Sequence, residues 1–212
     1  EQVAEVLGAR SAEIVFTGGG SESDNTAIKG VAAARALSSA RSPSNGHIIT
    51  TAIEHHAVIH PIEQLEKMGY ASTVIGVDST GRVDPGEYAA AVRPNTFLAS
   101  VMLVNNEVGT IQPVKEITEL AHEKNILVHT DAVQCLGKMP IAVNDLGVDF
   151  LSLSAHKFYG PKGIGILYFK NRESLSSLMM GGGQERGLRA GTENIASIAG
   201  MGLAAELEAT WL

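Results

Sequence analysis

Short β-rich runs alternate with helical stretches along this chain, and that order constrains the fold more than any other feature. Residues typical of strands fill 13–16, 47–51, 72–77, 97–104, 126–130, 150–154 and 165–169. Apolar residues at helical spacing predict helices over 22–40, 57–68, 113–124 and 195–208. Because strands such as 126–130 are apolar on both faces, we expect helices on both sides of the sheet. The sequence therefore predicts an α/β fold, a three-layer α/β/α domain whose mostly parallel sheet has about seven strands.

The composition is that of a globular domain without a membrane span. Hydrophobic residues make up 44% and charged residues 18% of the 212 residues, which excludes a disordered chain. The net charge of −7 argues against nucleic acid or an anionic membrane as the main partner. No apolar run reaches the roughly 18 residues of a membrane helix. The single cysteine, Cys135, excludes an internal disulfide and fits a reducing compartment, so we expect a cytoplasmic protein.

The two ends of the sequence predict a piece of a longer protein. The chain opens without Met in a helical segment, and residues 203–212 are helical with no stop signal. A stretch rich in Ser, Pro, Asn and Gly at 38–46 predicts a surface loop. No linker or internal repeat divides the chain, so we expect residues 1–212 to form one domain.

One lysine has unusual neighbours. Lys157 follows an apolar strand, comes after Ser154 and His156, and precedes a turn rich in Gly and Pro. A lysine that forms a Schiff base must be desolvated enough to offer a neutral amine and must be held against a carbonyl compound. The segment therefore favours a carbonyl cofactor, which other segments identify.

A glycine-rich stretch is a candidate phosphate site. Residues 17–25 read T-G-G-G-S-E-S-D-N, follow a predicted strand and open a helix. Glycines let backbone N–H groups approach an anion, the helix dipole favours negative charge there, and Ser21 and Ser23 add hydroxyl donors. The alternative is a flexible strand-to-helix turn with an N-cap. The spacing is that of neither a Walker loop nor a dinucleotide fingerprint.

An aspartate ends a buried strand in the segment V-H-T-D-A-V-Q. Asp131 can pair there with a protonated ring nitrogen and keep a cofactor an electron sink. The alternative is that Asp131 caps a following helix. Together with Lys157 and the glycine-rich stretch, Asp131 indicates pyridoxal phosphate.

Four histidines allow two interpretations. His55 follows a predicted strand and can stack on an aromatic ring or move protons. A metal site is the competing interpretation, but His47, His55, His56 and His60 lack the spacing of known zinc sites. We expect no metal, and we expect His47 and His60 to be ordinary surface or helix residues.

A loop rich in Gly and Arg precedes the last helix. Residues 181–194 read G-G-G-Q-E-R-G-L-R-A-G-T-E-N, and their arginines can bind a phosphate or carboxylate bidentately. Arg189 and Thr192 are the predicted anion contacts. The alternative is a mobile surface loop.

Six motifs in this order resemble those of one enzyme family. They are T-G-G-G-S-E-S-D-N, E-H-H-A-V, N-N-E-V-G-T, H-T-D-A-V-Q, S-A-H-K-F-Y-G-P-K-G and G-G-G-Q-E-R-G-L-R-A-G-T-E-N. They closely resemble the cysteine desulfurases and selenocysteine lyases, the class V branch of fold-type I pyridoxal phosphate enzymes. The likeness covers essentially the whole chain. It implies that residues 1–212 are the large cofactor-binding domain, without the N-terminal segment and the C-terminal small domain.

The resemblance implies a role for each matching residue. Lys157 resembles the lysine that binds the cofactor aldehyde and acts as the base, Asp131 the partner of the ring nitrogen, and His55 the histidine stacked on the ring, with an acid–base role. The remaining matches are Gln134 and Asn106 at the phenolic oxygen, Gly20, Ser21, Ser154 and His156 at the phosphate, and Thr192 at the phosphate of a neighbouring subunit. The last match implies a homodimer.

The resemblance also implies the reaction and its partners. The family converts L-cysteine to L-alanine and transfers the sulfur as an enzyme persulfide to an acceptor or scaffold protein, for iron–sulfur clusters or thio-cofactors. The family's persulfide cysteine and substrate-carboxylate arginine lie C-terminal to the matched region, so we expect this chain alone to be inactive. Cys135 is expected to be a packed structural thiol on a helix behind Asp131.

Three alternatives remain open at this point. A selenocysteine lyase shares the same motifs. A non-catalytic cofactor-binding or dimerisation fragment fits the two open ends of the sequence. Another class V enzyme, such as an aminotransferase, fits less well, because H-K-F-Y-G-P-K-G occurs together with G-T-E-N.

Overall fold

The computed structural model describes residues 1–38 and 46–211, which form seven strands and seven α-helices. The strands are β1 (Ile14–Thr17), β2 (His47–Thr51), β3 (Ala71–Ile75), β4 (Thr96–Ser100), β5 (Leu127–Asp131), β6 (Phe150–Ser154) and β7 (Gly165–Phe169). The helices are α1 (Gln2–Leu7), α2 (Gly20–Ser38), α3 (His56–Lys67), α4 (Pro85–Ala91), α5 (Val114–His122), α6 (Val143–Leu146) and α7 (Ile195–Trp211). Short 3-10 turns include Ala155–Phe158 and Gln184–Gly187.

The strands form one sheet in the order β1-β7-β6-β5-β4-β2-β3. The five strands from β6 to β3 pair in parallel, whereas β7 runs antiparallel to both β6 and β1. The prediction of a mostly parallel sheet of about seven strands is therefore confirmed. Its consequence is that the carboxyl ends of β2, β4, β5 and β6 lie along one edge of the sheet.

Helices cover both faces of the sheet. Successive strand residues point to opposite sides, so each strand contributes apolar side chains to two cores. Ile48 belongs to the core beneath α2 and α3, and its neighbour Ile49 belongs to the core on the opposite face. Leu98 and Ala99 divide in the same way. Helices α1, α4, α5 and α7 contribute side chains to the second core. The predicted three-layer arrangement is confirmed.

Several predicted boundaries are corrected. The strand predicted over 97–104 ends at Ser100, after which Val101 and Leu103 donate single N–H groups to β5 and Val104 bridges to Ile111. The segment after Asp131 forms successive turns and not the helix that we predicted. Helices α4 and α6 were not predicted, since they are too short to show a periodicity.

The predicted surface loop at 38–46 lies mostly outside the described residues, as does the predicted end of the first long helix at residue 40. Within 1–38 and 46–211, every helix is too short or too polar to cross a bilayer.

Candidate active site

A cavity of about 370 Å³ opens at the carboxyl edge of the sheet. It is lined by Gly20, Ser21, Asp24, His55, Met102, Asn106, Asp131, Val133, Gln134, Ser154, His156 and Lys157. The structure thus brings together the predicted site residues except Thr192 and two further predicted anion contacts, Ser23 and Arg189. These residues come from β5, β6, the start of α2 and the segments after β2 and β4, which meet at this edge because the strands are parallel.

Lys157 lies in the 3-10 turn that follows β6, and its side chain is exposed at the cavity. The turn ends at Tyr159, whose φ of 63° is left-handed, and Gly160 donates its N–H to the Ala155 carbonyl at 2.9 Å. A Cβ on Gly160 would approach the Ala155 Cβ to 2.9 Å. Gly160, three residues after Lys157, is therefore needed to close this tight turn.

The start of α2 forms the glycine-rich end of the cavity. A Cβ on Gly20 would lie only 2.8 Å from Cγ2 of Val133, so glycine leaves the space between the helix start and the segment after β5. Opposite this helix start, the Ser154 hydroxyl lies 3.0 Å from Nδ1 of His156. Burial, and then the charge of Lys157, lowers the pKa of His156. Backbone N–H groups, hydroxyls and an imidazole thus converge on one end, a donor set suited to an anion.

Asp131 ends β5 and lies in the cavity wall with only 6% of its surface exposed. Its Oδ1 accepts the Val133 N–H at 2.9 Å. Asp131 therefore also caps the segment that follows it, as the alternative interpretation predicted, but that segment is a turn and not a helix. Burial, reinforced by the charge of Asp24, raises the pKa of Asp131 to about 7. A cationic N–H placed against this carboxyl would favour its charged form.

His55 is the N-cap of α3, and its Nδ1 accepts the backbone N–H of Ala57 at 3.1 Å. When the imidazole is neutral, its proton is therefore on Nε2. Across the cavity, the Gln134 Oε1 accepts from Nζ of Lys138 at 2.9 Å, which leaves the Gln134 amide nitrogen to donate. Asn106 projects from the segment after β4 and is exposed.

The sequence reasoning missed Asp24. It lies on α2 and lines the cavity with 1% of its surface exposed, and its Oδ1 is 3.5 Å from Nε2 of His129. Burial raises the pKa of Asp24 to about 7 and lowers that of His129 to about 4. The available signal was helical spacing, since Asp24 is four residues after Gly20 and so lies on the same helix face.

The Gly/Arg loop lies outside this cavity. Thr192 is exposed at a separate, smaller cavity of about 60 Å³, which Arg189 also lines. Arg189, the other predicted anion contact, binds the carboxylate of Glu22 through a 2.8 Å contact from Nε to Oε1.

The predictions for three other residues have definite outcomes. His47 is fully buried in β2, between the hydroxyls of Thr96 and Thr73 at 2.8 Å each, so its prediction as a surface or helix residue is wrong. His60 is exposed on α3 as predicted. The prediction that Cys135 is a packed thiol is confirmed, because it is completely buried and burial raises its pKa to about 12.

The chain is similar to known proteins over nearly its whole length. Residues 1–211 match the family described as "Aminotransferase class-V". "Cysteine desulfurase IscS" from Dictyoglomus turgidum is 52% identical over 207 residues, which are 98% of this chain and 51% of that protein. The protein of the same name from Methanosarcina thermophila is 51% identical over 98% of this chain and 50% of its own length. The chain thus spans about half the length of the curated relatives it matches.

Solved structures agree with this likeness. One described as "NIFS-LIKE PROTEIN" superposes with a TM-score of 0.92 at 44% identity, covering 99% of this chain and 56% of that one. Another, "SspA in complex with cysteine", has a TM-score of 0.91 at 45% identity and covers 97% of this chain and 58% of that one. The similarity therefore extends over the whole fold of this chain and is not limited to local motifs.

Proposed function

The chain belongs to the aminotransferase class-V family, and we propose that it is the large cofactor-binding domain of a pyridoxal phosphate-dependent cysteine desulfurase. The observation that carries the proposal is the single cavity that holds Lys157, Asp131 and His55 beside the start of α2. An amine, a buried carboxyl, an imidazole and an anion cradle are four different chemical groups, and they suit the aldehyde, the ring nitrogen, the ring face and the phosphate of pyridoxal phosphate.

The residues fit the cofactor by position and by chemistry. The helix start at Gly20 and Ser21, with Ser154 and His156 opposite, would hold the phosphate. Asp131 would hold the ring nitrogen, because its buried carboxyl gains a cationic partner there. Asn106 and the amide nitrogen of Gln134 would donate to the phenolic oxygen, and the exposed face of His55 would lie against the ring.

The chemistry divides between the cofactor and the chain. When bound, pyridoxal phosphate supplies an aldehyde that amines attack and a ring that takes up an electron pair from the substrate α-carbon. Lys157 would bind the aldehyde, would be displaced by the substrate amine, and would take the α-proton and return it before alanine leaves. Asp131 would stay anionic and keep the ring nitrogen protonated. His55, with its Nε2 directed away from the α3 cap, would hold the ring and move protons.

For the whole protein we propose L-cysteine as the substrate and L-alanine as a product. A protein thiolate attacks the substrate sulfur, the Cβ–S bond breaks with its electron pair on carbon, and that carbon takes a proton. Cys135 is unsuited to this attack, because its thiol is buried and the pKa of about 12 keeps it protonated. The attacking cysteine is therefore assigned to sequence outside residues 1–212, where the family resemblance also implies the arginine for the substrate carboxylate.

The proposed assembly is a cytoplasmic homodimer that passes sulfur to an acceptor or scaffold protein, for iron–sulfur clusters or thio-cofactors. The support within the chain is Thr192, which is exposed and lies away from the chain's own main cavity. A phosphate contact from Thr192 would therefore go to the cavity of a second subunit.

The test is the reaction of the full protein with L-cysteine. We expect alanine and protein-bound persulfide in equal amounts, both lost in Lys157→Ala. As a matched control, Lys170→Ala removes an exposed lysine at the end of β7 and should keep both products. Alanine formed from L-selenocysteine but not from L-cysteine would favour selenocysteine lyase instead, and pyridoxal phosphate binding without either product would favour a non-catalytic domain.

A further inference from the structure

An ion pair behind the glycine-rich turn joins two segments that are far apart in sequence. Glu22, in the first turn of α2, accepts Nε of Arg189 at 2.8 Å on Oε1 and Nη2 at 3.3 Å on Oε2. The two side chains are only 22% and 24% exposed. Partial burial and the two-point contact make this pair stronger than an ordinary surface ion pair.

The same carboxylate also fixes the turn itself. Oε2 of Glu22 accepts the backbone N–H of Gly18 at 2.7 Å. A Cβ on Gly18 would lie 2.7 Å from that oxygen, so this approach requires glycine at position 18. Glu22 therefore determines which way the Gly18 N–H points and where the turn begins.

The carboxylate of Glu22 places a negative charge at the glycine-rich end of the cavity, where the phosphate is proposed to bind. Glu22 lines an open recess of about 470 Å³ together with the turn from Gly18 to Ser21, Ser154 and Lys162. A carboxylate there would repel a bound phosphate, since both groups are anionic and would lie at the same end of the cavity. The guanidinium of Arg189 lies on the carboxylate and cancels that charge.

We propose that Glu22 and Arg189 are positioning residues for the cofactor phosphate: Glu22 orients the Gly18 N–H, and Arg189 neutralises the charge that Glu22 brings. The inference rests on the proposed function, because it takes pyridoxal phosphate as the ligand. It assigns Arg189 a different role from a direct phosphate contact. In a direct contact the guanidinium binds the phosphate, whereas here it acts through Glu22.

The test compares two ligands that differ only in the phosphate. Dissociation constants for pyridoxal phosphate and for pyridoxal are measured by absorbance titration of the full protein. Arg189→Met should weaken pyridoxal phosphate binding on the order of tenfold, about 1.4 kcal/mol, and leave pyridoxal binding unchanged. Arg82→Met is the matched control, because Arg82 follows β3, at the opposite end of the sheet from β1, and loses only an exposed pair with Glu116, so it should change neither constant.

Three further variants distinguish a direct phosphate contact of Arg189 from a role that acts through Glu22. The variant Glu22→Gln with Arg189→Met should recover wild-type affinity to within about twofold, since the Gln oxygen still accepts the Gly18 N–H and no charge is left unpaired. Glu22→Gln alone should bind pyridoxal phosphate at least as tightly as wild type. Arg189→Lys, which keeps the positive charge, should retain affinity to within about threefold.

Several results would overturn the inference and spare the proposed function. They are an unchanged affinity in Arg189→Met, an equal loss of pyridoxal binding, a double variant as weak as Arg189→Met, and weaker binding by Glu22→Gln or Arg189→Lys. A double variant as weak as Arg189→Met would indicate a direct phosphate contact, and an equal loss of pyridoxal binding would indicate a purely structural role. A wild-type protein that binds pyridoxal but gains nothing from the phosphate would also overturn it. If neither ligand binds, both proposals fail together.

Discussion

Oε1 of Glu54 accepts the backbone N–H of Met102 at 2.8 Å, so one buried carboxyl joins the end of β2 to the segment after β4. The same oxygen accepts the Thr51 hydroxyl at 2.7 Å. His55 follows Glu54 directly and Met102 lines the cavity, so this contact fixes the spacing between two cavity walls. Burial raises the pKa of Glu54 to about 8, which keeps the acid protonated at neutral pH.

Glu54 should make the protein less stable as the pH rises. Its pKa in the folded protein is above the value of 4.5 for a free side chain, so the folded state binds the extra proton and loses this stabilisation as the pH passes the folded value. We expect the contribution of Glu54 to the free energy of unfolding to fall between about pH 4.5 and about pH 8, so the free energy of unfolding should fall less steeply with pH in Glu54→Gln. Asp24 and Asp131 lower the stability with rising pH in the same direction, since burial raises the pKa of both carboxyls.

Urea denaturation at several pH values measures this slope. Glu116→Gln is the matched control, because that side chain is exposed on α5 and should leave the slope as it is in wild type. A wild-type slope retained in Glu54→Gln would show that Glu54 is not protonated in the folded protein.

His47 should produce the opposite dependence at acid pH. Burial, and then the charge of Arg93, lowers its pKa from 6.5 to about 4, so the unfolded chain binds a proton that the folded chain rejects. The contribution of His47 to the free energy of unfolding should therefore fall as the pH drops from 6.5 towards 4, in the direction opposite to the contributions of the three buried carboxyls. His47→Gln should flatten part of this fall, although it lowers stability overall by removing the hydrogen bonds to Thr96 and Thr73. His60→Gln, at an exposed position on α3, should keep the wild-type slope, and an equal change in the two variants would contradict this account.

How far the sequence alone leads is clear from His47 and Lys157. Lys157 could be placed because local features decide its position: an apolar strand precedes it and Gly160 closes the turn. His47 could not, because its burial depends on Thr96 and Thr73, which belong to strands distant in sequence. The sheet was predictable from apolar runs, since they are independent of which strands become neighbours. The partners of buried polar groups depend on the strand order.

Glu22 and Arg189 illustrate the same limit at the site. The two segments that contain these residues each suggested an anion site, namely the glycine-rich helix start around Glu22 and the Gly/Arg loop with Arg189. Their 2.8 Å contact spans 167 positions and changes the role of both. Short α4 and α6 were missed for a different reason, because one or two turns leave too few residues for a helical period.

Asp131→Asn should weaken pyridoxal phosphate binding by on the order of tenfold, because a neutral amide cannot form a charge-assisted hydrogen bond to a protonated ring nitrogen. The spectrum of the bound cofactor should also change, since its ring nitrogen loses the proton. Absorbance titration measures both effects. Asp145→Asn, at an exposed position on α6, is the control and should match wild type. Wild-type affinity and spectrum in Asp131→Asn would remove Asp131 from the site.

Mixed dimers test the contribution of Thr192 to a second subunit. Lys157→Ala subunits and Thr192→Val subunits should each bind pyridoxal phosphate poorly as homodimers. When the two proteins are unfolded together and refolded, each mixed dimer should contain one intact site, with Lys157 from one subunit and Thr192 from the other. Recovery of tight binding on mixing is the expected result. If mixing recovers nothing, Thr192 does not act across a dimer.

The most direct test of the account is the covalent position of the cofactor. The protein is incubated with pyridoxal phosphate, reduced with borohydride, digested and mapped by mass spectrometry. Reduction should leave a phosphopyridoxyl group on Lys157 and not on Lys162, which lies at the phosphate end of the site. A label spread over surface lysines, or concentrated on any lysine other than Lys157, would contradict the central claim that this cavity binds pyridoxal phosphate through Lys157.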